Sequence, residues 1–404
     1  MRQSGTQRAI TGPLAGLPLL EDLPDPSGRK VLVRVDFNVP LRQPNGGVGT
    51  AEVVDDFRIR AALPTIQWLV DHGAAVTTCT HVGRPKGLVD HRYDVTPIAA
   101  RLAELAPGVE LMENLRFNPG EEGNDPAFAR QLADGFDLFV NDAFGTCHRA
   151  HASVMGPPSL LPSAAGRLLA REVKILGNLL TGPSRPFVAV VGGAKVADKL
   201  GVLRSLLGRV DRLLIGGGMA FTFLAAEGHD VGASLVDPAW IDDCRDLLAI
   251  YRDQILLPSD VVALAPGYAM GPGCIGGEVQ VVGTDVPDGW QGLDIGPETA
   301  CAYAEAIQEA ATLLWNGPMG VFEDARFQAG TATVASAVAS CPGFTVIGGG
   351  DSAAAMDHFG LADKVGFVST GGGATLELLQ YGDLPGLSAL RESSNAPSVG
   401  TATY

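Results

Sequence analysis

The 404-residue sequence has no Cys-x-x-Cys pair, no Gly-Lys-Ser/Thr step and no long apolar run. Its six cysteines (Cys79, Cys147, Cys244, Cys274, Cys301 and Cys341) stand far apart, without the spacing of a zinc site. Scattered thiols of this kind read as unpaired residues of a reducing compartment. The missing Gly-Lys-Ser/Thr step excludes a Walker A loop, so phosphate must be held by another arrangement. Every apolar run meets Gly, Pro or a charge within about 10 residues, half the length of a membrane-spanning helix. Residues 1–30 carry Arg2 and Arg8 but are broken by Pro13 and Pro18. They lack the unbroken apolar stretch and small-residue cleavage site of a secretory signal, so a cytoplasmic protein is expected. Basic residues are scarce as well: 29 Lys and Arg face 45 Asp and Glu, a net charge of −16. That balance speaks against nucleic acid or an anionic membrane as partner. It does not exclude a small anion, because screening over about 8 Å lets a local group of arginines outvote the global charge.

What is present is a series of short Val-, Ile- and Leu-rich runs without strict alternation. They are 31–37, 74–81, 109–114, 138–143, 187–193, 212–217, 255–262, 313–318, 344–349 and 364–370. Segments of helical period such as 96–106, 125–135 and 297–314 lie between most of them. Continuous apolar strands alternating with helices predict an α/β protein with doubly wound parallel sheets covered on both faces. Functional groups then belong at the carboxyl ends of the strands. The length predicts two domains. Residues 166–181, a helical pattern without a strand partner, read as the connection between them. Residues 392–404, rich in Ser, Thr, Gly and Pro, read as a tail.

The two halves carry different anion-binding chemistry. Residues 187–373 place glycine clusters behind apolar runs, at 190–199, 214–221, 346–353 and 368–375. Glycine at a strand-to-helix turn lets backbone N–H groups approach a phosphate, and a helix start favours negative charge. In the first cluster Lys195 and Lys199 are four apart and would share one helix face; the plainer alternative is an exposed basic face. Asp351 and Ser352 suit Mg²⁺ and a phosphate oxygen, although Asp351 equally suits a helix cap. Gly348, Gly350 and Ala353 also fit a GxGxxA dinucleotide pattern, without the acidic strand end that normally follows. Glu323, past the run that ends near Asn316, suits a ribose diol or is a surface charge.

The first half instead sets Arg and His beside the ends of its runs. Asp36 and Asn38, two apart, are expected on the same face of one strand. Arg58 begins a helical pattern, His81 and Arg84 flank one strand end, Arg116 follows another, and Arg149 lies between His148 and His151. Each arginine alone is most simply a surface salt-bridge partner. Four of them at element ends point to one anion pocket, since arginine binds phosphate or carboxylate through a two-pronged fork.

Taken together, RVDFNVP (34–40), RIRAALPTI (58–66), HVGRPKG (81–87), ENLRF (113–117) with GEEGND (120–125), VNDAFGTCHRAHAS (140–153), GGAKVADKL (192–200), GGGMAFTFL (216–224), GLDIGPET (292–299), WNGPMGVFE (315–323), GGGDSA (348–353) and STGGGATLELL (369–379) closely resemble the phosphoglycerate kinases. The resemblance covers roughly residues 28–390. It implies two Rossmann-like domains, 1–165 and 183–384, joined by a long helix at 166–182, with 385–404 returning to the first. It implies reversible transfer of the acyl phosphate of 1,3-bisphosphoglycerate to ADP, giving 3-phosphoglycerate and ATP with Mg²⁺, by a monomer that closes about its hinge. Asp36, Asn38, Arg58, His81, Arg84, Arg116 and Arg149 would bind the phosphoglycerate. Gly193, Ala194, Lys195, Lys199, Gly218, Gly292, Asn316, Glu323, Gly350 and Ser352 would bind the nucleotide, with Asp351 holding the metal. Arg58, Lys195 and the helix start at Gly371, Gly372 and Gly373 would stabilise the group in flight.

The chain also departs from that family. Between 101–107 and ENLRF the family usually has another strand and helix, so the first sheet is expected to be smaller or differently bounded. Residues 1–27 and 392–404 exceed the usual limits. Cys147, beside the substrate motif, is a candidate oxidisable thiol. Two other readings remain: a non-catalytic relative that binds nucleotide or a partner, and a dehydrogenase built on GxGxxA.

Overall fold

The apolar runs form strands buried on both faces and stop where polar residues begin. The computed structural model describes residues 12–42 and 51–395, which divide into two units. One takes in the chain up to Thr181 and again from Tyr381; the other is Gly182–Gln380.

The first unit contains β1 (Lys30–Arg34), a hairpin of β2 (Leu41–Arg42) and β3 (Glu52–Val53), α1 (Phe57–Asp71), β4 (Ala75–Cys79) and α2 (Thr96–Leu105). β5 (Glu110–Leu111), α3 (Pro126–Ala133), β6 (Leu138–Asn141), α4 (Ala152–Met155), β7 (Ser163–Ala165) and α5 (Arg167–Thr181) follow. Its main sheet runs β5-β4-β1-β6-β7, all parallel. Val31, Val33, Ile59, Ile66, Ile98 and Leu102 make one side of its core. Only four residues separate α2 from β5, and the strand is two residues long. The first sheet has five strands, and its edge strand β5 is short.

The second unit contains β8 (Phe187–Val191), α6 (Leu200–Leu207), β9 (Arg212–Ile215), α7 (Ala220–Glu227), α8 (Ile241–Tyr251), β10 (Ile255–Leu256), β11 (Val261–Leu264), β12 (Val279–Val282) and β13 (Gln291–Ile295). Then come α9 (Pro297–Gln308), β14 (Thr312–Asn316), α10 (Ala329–Ser340), β15 (Phe344–Ile347), α11 (Gly350–His358), β16 (Phe367–Val368) and α12 (Gly372–Tyr381). Six parallel strands run β10-β9-β8-β14-β15-β16, and an antiparallel sheet β12-β11-β13 stands beside them. The run 255–262 is thus two strands in two sheets. Pro258 lacks an N–H for a ladder, and Asp260 turns away to accept the Glu298 and Thr299 amides at the start of α9.

The last helix, α13 (Pro385–Asn395), packs in the first unit against α4 and β7. The Gly386 amide donates to the Cys147 carbonyl at 2.9 Å. Arg391 reaches the Ala15 carbonyl at 2.9 Å and pairs with Asp383. Residues 1–11 and 396–404, which include parts of the extension and the tail, lie outside the described residues.

In both parallel sheets the strand order reverses. From β1 the chain winds to β4 and β5, then returns to β6 and β7; from β8 it winds to β9 and β10, then returns to β14, β15 and β16. Such a sheet opens a crevice beyond the carboxyl ends of the two strands flanking the reversal. Here those pairs are β1/β6 and β8/β14.

Candidate active site

Asp36 and Asn38 follow β1, but not as one strand face. The strand ends at Arg34, and the chain leaves in extended form after the Val35 amide bonds the Cys79 carbonyl. Asp36 turns inward, 7% exposed, and pairs with Arg58 at the start of α1. Asn38 stays exposed, its Oδ1 accepting the Gly83 amide at 3.0 Å. Arg116 grips the other side of that residue, donating to the Gly83 carbonyl at 2.6 Å, and pairs with Glu122 at 3.2 Å. Gly83 is bent to φ +59, and a side chain there would run into the Tyr93 ring. The HVGRP turn therefore requires glycine to link Asn38 with Arg116. Arg84 is exposed beside it, and Arg149 donates to His148 Nε2 at 3.2 Å.

Charge in this crevice resides in the arginines. Burial, reinforced by Arg34, Arg116 and Arg149 and opposed by Asp36, holds His81 well below its ordinary value. Burial and then Arg116 and Arg149 bring His151 down to about 4, and burial with Arg149 lowers His148. All three imidazoles are neutral at pH 7. Burial, the largest single influence, would raise Asp36, but Arg58 together with its other neighbours, Arg34 and the Asn38 amide among them, outweighs it and the carboxyl titrates below its usual range.

Asp142, just past β6, is fully buried and accepts the Leu169 amide at 3.1 Å, so it caps α5 from a neighbouring strand. Burial pushes its carboxyl up to about 7. A carboxyl raised on folding adds stability below its unfolded value, and that stability is lost as pH rises through the folded one. Asp142→Asn removes this titration. Its stability relative to wild type is expected to climb between about pH 4 and about pH 7 by a few kcal/mol at most. Urea unfolding at four pH values checks this, and parallel curves for the two proteins would refute it.

Cys147 does not behave as a reactive thiol. It is fully buried, against the backbone of Gly386, and burial pushes it up to about 12. Thiol reactivity needs access and a lowered value, and this position has neither.

In the second unit β8 passes into Gly192 and Gly193, and β9 into the turn 216–218. These turns touch: a Cβ on Gly217 (φ +68) would lie 2.6 Å from the Gly193 nitrogen. Lys195 and Lys199 do not share a helix face, because α6 starts only at Leu200 and 197–199 form a turn. Lys195 and Ala194 are exposed, whereas Lys199 folds inward. Its Nζ donates to the Gly192 carbonyl at 2.5 Å and to Asn316 Oδ1 at 2.6 Å. Burial lowers Lys199 to about 8, against the pull of Asp351 and Asp198.

Asn316, the last residue of β14, donates from Nδ2 to the Gly348 carbonyl at 2.6 Å. Ser352 Oγ accepts the Gly317 amide at 2.6 Å and donates to the Gly348 carbonyl at 3.2 Å. Lys199, Asn316 and Ser352 thus lace together the ends of β8, β14 and β15. The single proton of Ser352 is already committed, so its part is to shape the turn. Asp351 is exposed in the first turn of α11, whose cap is Gly349 with no side-chain bond. The capping alternative for Asp351 is therefore set aside. Glu323 is exposed beyond β14, Gly218 rests against Ala194, and Gly292 on β13 is covered by the Phe221 ring. Gly371 precedes α12, which Gly372 and Gly373 open, and its amide donates to Ser369 Oγ at 3.2 Å.

Among the described residues no group of three or more His, Cys, Asp or Glu is placed to hold a metal ion. Asp351 alone suits a cation that takes most of its ligands from phosphate and water, as Mg²⁺ does with nucleotides. No helix among them is long and apolar enough to cross a membrane. Arg34, Glu121 and Ser153 were missed as site residues although all three stand inside the quoted motifs.

Two doubly wound units, with arginines at one strand reversal and glycine turns at the other, define an α/β protein of the class that binds phosphorylated ligands. The phosphoglycerate kinase family model matches residues 20–111 and 106–381, and the chain belongs to that family. The two matches overlap at residues 106–111, the turn after α2 and β5 itself. The chain is 50% identical to the phosphoglycerate kinase of Moorella thermoacetica over 401 residues, covering 92% of this chain and 98% of that one. With the Roseiflexus sp. (strain RS-1) enzyme it shares 49% over 398 residues, covering 91% and 98%. The structure of phosphoglycerate kinase from Coxiella burnetii superposes with a TM-score of 0.82 at 36% identity, covering 93% and 99%. The dehydrogenase reading falls with this finding. Its GxGxxA match also follows β15, whereas a dinucleotide fingerprint belongs after the first strand of the fold.

Proposed function

We propose that the chain transfers the acyl phosphate of 1,3-bisphosphoglycerate to ADP, reversibly, yielding 3-phosphoglycerate and ATP. The observation that carries this reading is the location of both residue sets. Asp36 and Asn38 follow β1 and Arg149 follows β6, the pair at one reversal, with His81 behind the adjacent β4 and with Arg58 and Arg116 bonded into the same group. Lys199, Asn316 and Ser352 occupy the other.

Arg58, Arg84, Arg116 and Arg149 supply the charge for the phosphoglycerate, with Asp36 and Asn38 orienting its polar groups. Lys195, Lys199, Gly193 and Ala194 meet the nucleotide phosphates, with Gly350, Asp351 and Ser352 at the helix start opposite. Gly218, Gly292, Asn316 and Glu323 line the rest of the nucleotide site. Mg²⁺ held by Asp351 supplies charge neutralisation on the phosphates. An acyl phosphate is already activated and its carboxylate leaves readily, so no general base is required and positioning with charge carries catalysis. Hydrogen bonds to charged groups contribute about 1.5–3 kcal/mol each, against about 0.3–1 for a helix terminus. Arg58 and Lys195 therefore outweigh the Gly371–Gly373 helix start. Direct transfer needs reacting atoms about 3–3.5 Å apart, and closure about residues 166–182 is the proposed route to it. The enzyme is read as a cytoplasmic monomer.

The test is turnover on purified protein with 3-phosphoglycerate, ATP and Mg²⁺. Nucleotide binding without turnover would favour the non-catalytic relative. An elution volume of twice the chain mass would overturn the monomer.

A further inference from the structure

Beneath the arginine crevice lies a buried polar chain that the reaction described above does not use. Arg34, the last residue of β1, is fully buried although it carries a permanent charge. One guanidinium nitrogen donates to the Val35 carbonyl. Its Nε donates to Ser153 Oγ at 3.0 Å, and its Nη2 lies 3.2 Å from His81 Nδ1. Ser153, on α4, donates from Oγ to Glu121 Oε1 at 2.6 Å and from its amide to Glu121 Oε2 at 2.9 Å. Glu121 is fully buried too. A buried charge is costly unless it is paired, and here a serine hydroxyl stands between the two charges.

The proton directions follow from donor and acceptor inventory. A guanidinium has no acceptor, so the Arg34–Ser153 contact runs from Nε to Oγ. The hydroxyl's only proton is then directed at Glu121. By the same rule Arg34 donates to His81 Nδ1, which must present a lone pair. A neutral imidazole accepting at Nδ1 carries its proton on Nε2. An imidazolium at His81 would set N–H against N–H and lose this bond. Asp36 favours a charged ring, whereas burial, Arg34, Arg116 and Arg149 oppose it.

We propose that Glu121, Ser153 and Arg34 are positioning residues, a buried relay that fixes His81 as the neutral Nε2–H tautomer and so keeps a donor available to the phosphoglycerate anion. The role of His81 toward that anion rests on the function proposed above; the tautomer does not. If the ring took the other tautomer, Nε2 would offer a lone pair to an anion and a donor would be replaced by a repulsion. Ser153 is the weak link, because its hydroxyl alone ties the Arg34 guanidinium to Glu121 and so holds it in place against His81.

The tautomer is read from imidazole ¹⁵N shifts of the ligand-free, full-length, ¹⁵N-histidine-labelled enzyme, whose seven histidines are assigned by substitution. Wild type is expected to show His81 protonated at Nε2 only, unchanged from about pH 6 to pH 8. Ser153→Ala is expected to give mixed tautomers and to raise KM for 3-phosphoglycerate about ten-fold or more with KM for ATP unchanged. Ser153→Thr, which keeps the hydroxyl, restores both. A wild-type His81 protonated at Nδ1, or an imidazolium at pH 7, overturns the proposal without any variant. So does a folded Ser153→Ala enzyme whose His81 signals match wild type. If the phosphoglycerate reading fails, turnover is lost in wild type while the tautomer result still stands.

Discussion

Arg58→Ala lowers kcat by about a thousand-fold, the lower end of what a single arginine supplies to phosphoryl transfer, with nucleotide affinity near wild type. Arg58 opens α1 with its side chain 34% exposed, so the guanidinium stays within reach of solvent-borne ligands while one nitrogen pairs with Asp36. Lysine at this position keeps the charge but loses the fork, and Arg58→Lys should recover only part of the rate. Removing Arg58 also strips Asp36 of its partner, so thermal unfolding must be followed alongside. Asp36→Asn in the Arg58→Ala background relieves the buried charge and returns stability without returning turnover. Near-wild-type kcat in Arg58→Ala would refute the role.

Lys199→Met has the second large effect. It removes the cation that ties Gly192 to Asn316 and the charge beside the proposed phosphate site. Two charged hydrogen bonds at about 1.5–3 kcal/mol each set the scale, and kcat/KM for ATP is expected to fall at least a hundred-fold. The wild-type enzyme carries a matching pH signature. Burial lowers Lys199 to about 8 in the ligand-free state, and a bound polyphosphate raises it again, because a nearby negative charge favours the protonated form. Nucleotide binding at pH 8.5 therefore takes up protons, and binding at pH 7 does so far less. Calorimetry in two buffers of different ionisation enthalpy measures the uptake. Equal apparent enthalpies at pH 8.5 would mean that Lys199 does not meet the nucleotide. The linked stability term has a definite sign as well. The unfolded chain holds this proton up to a higher pH than the native state does, so stability rises across the interval above about 8.

Much of this was legible in the sequence because apolar strands and glycine turns announce themselves. The parallel strands other than β7 fall on the runs expected, with no start more than one residue ahead of its run, and each fold reversal falls where polar motifs follow a run. The antiparallel sheet was illegible for physical reasons. β12 is largely exposed, β13 begins Gln-Gly, and Pro258 divides a run that otherwise looks continuous. β7 is Ser-Ala-Ala, too small to show a pattern. Within the sites, residue type was readable and depth was not. Lys195 and Lys199 looked equivalent by spacing, yet one is exposed and the other folds into a cage of oxygens. Asp36 and Asn38 looked like one strand face, yet the strand stops before them. Arg34 shares a motif with both, but only its complete burial and its bond to Ser153 mark it as different in kind.

The return of the last helix to the first unit has a consequence for how the molecule is made. A ribosome releases the first 181 residues well before α13, which begins at Pro385. The intervening stretch of roughly 200 residues takes about 10–40 s at ordinary elongation rates. During that interval the nascent first lobe is without the segment that bonds Cys147 and braces Ala15, whereas the later lobe is uninterrupted in the message and can mature first. The order of maturation is then the reverse of the order of synthesis. Stop codons that truncate the tail harm the lobe translated earliest, and chaperones have their longest task there.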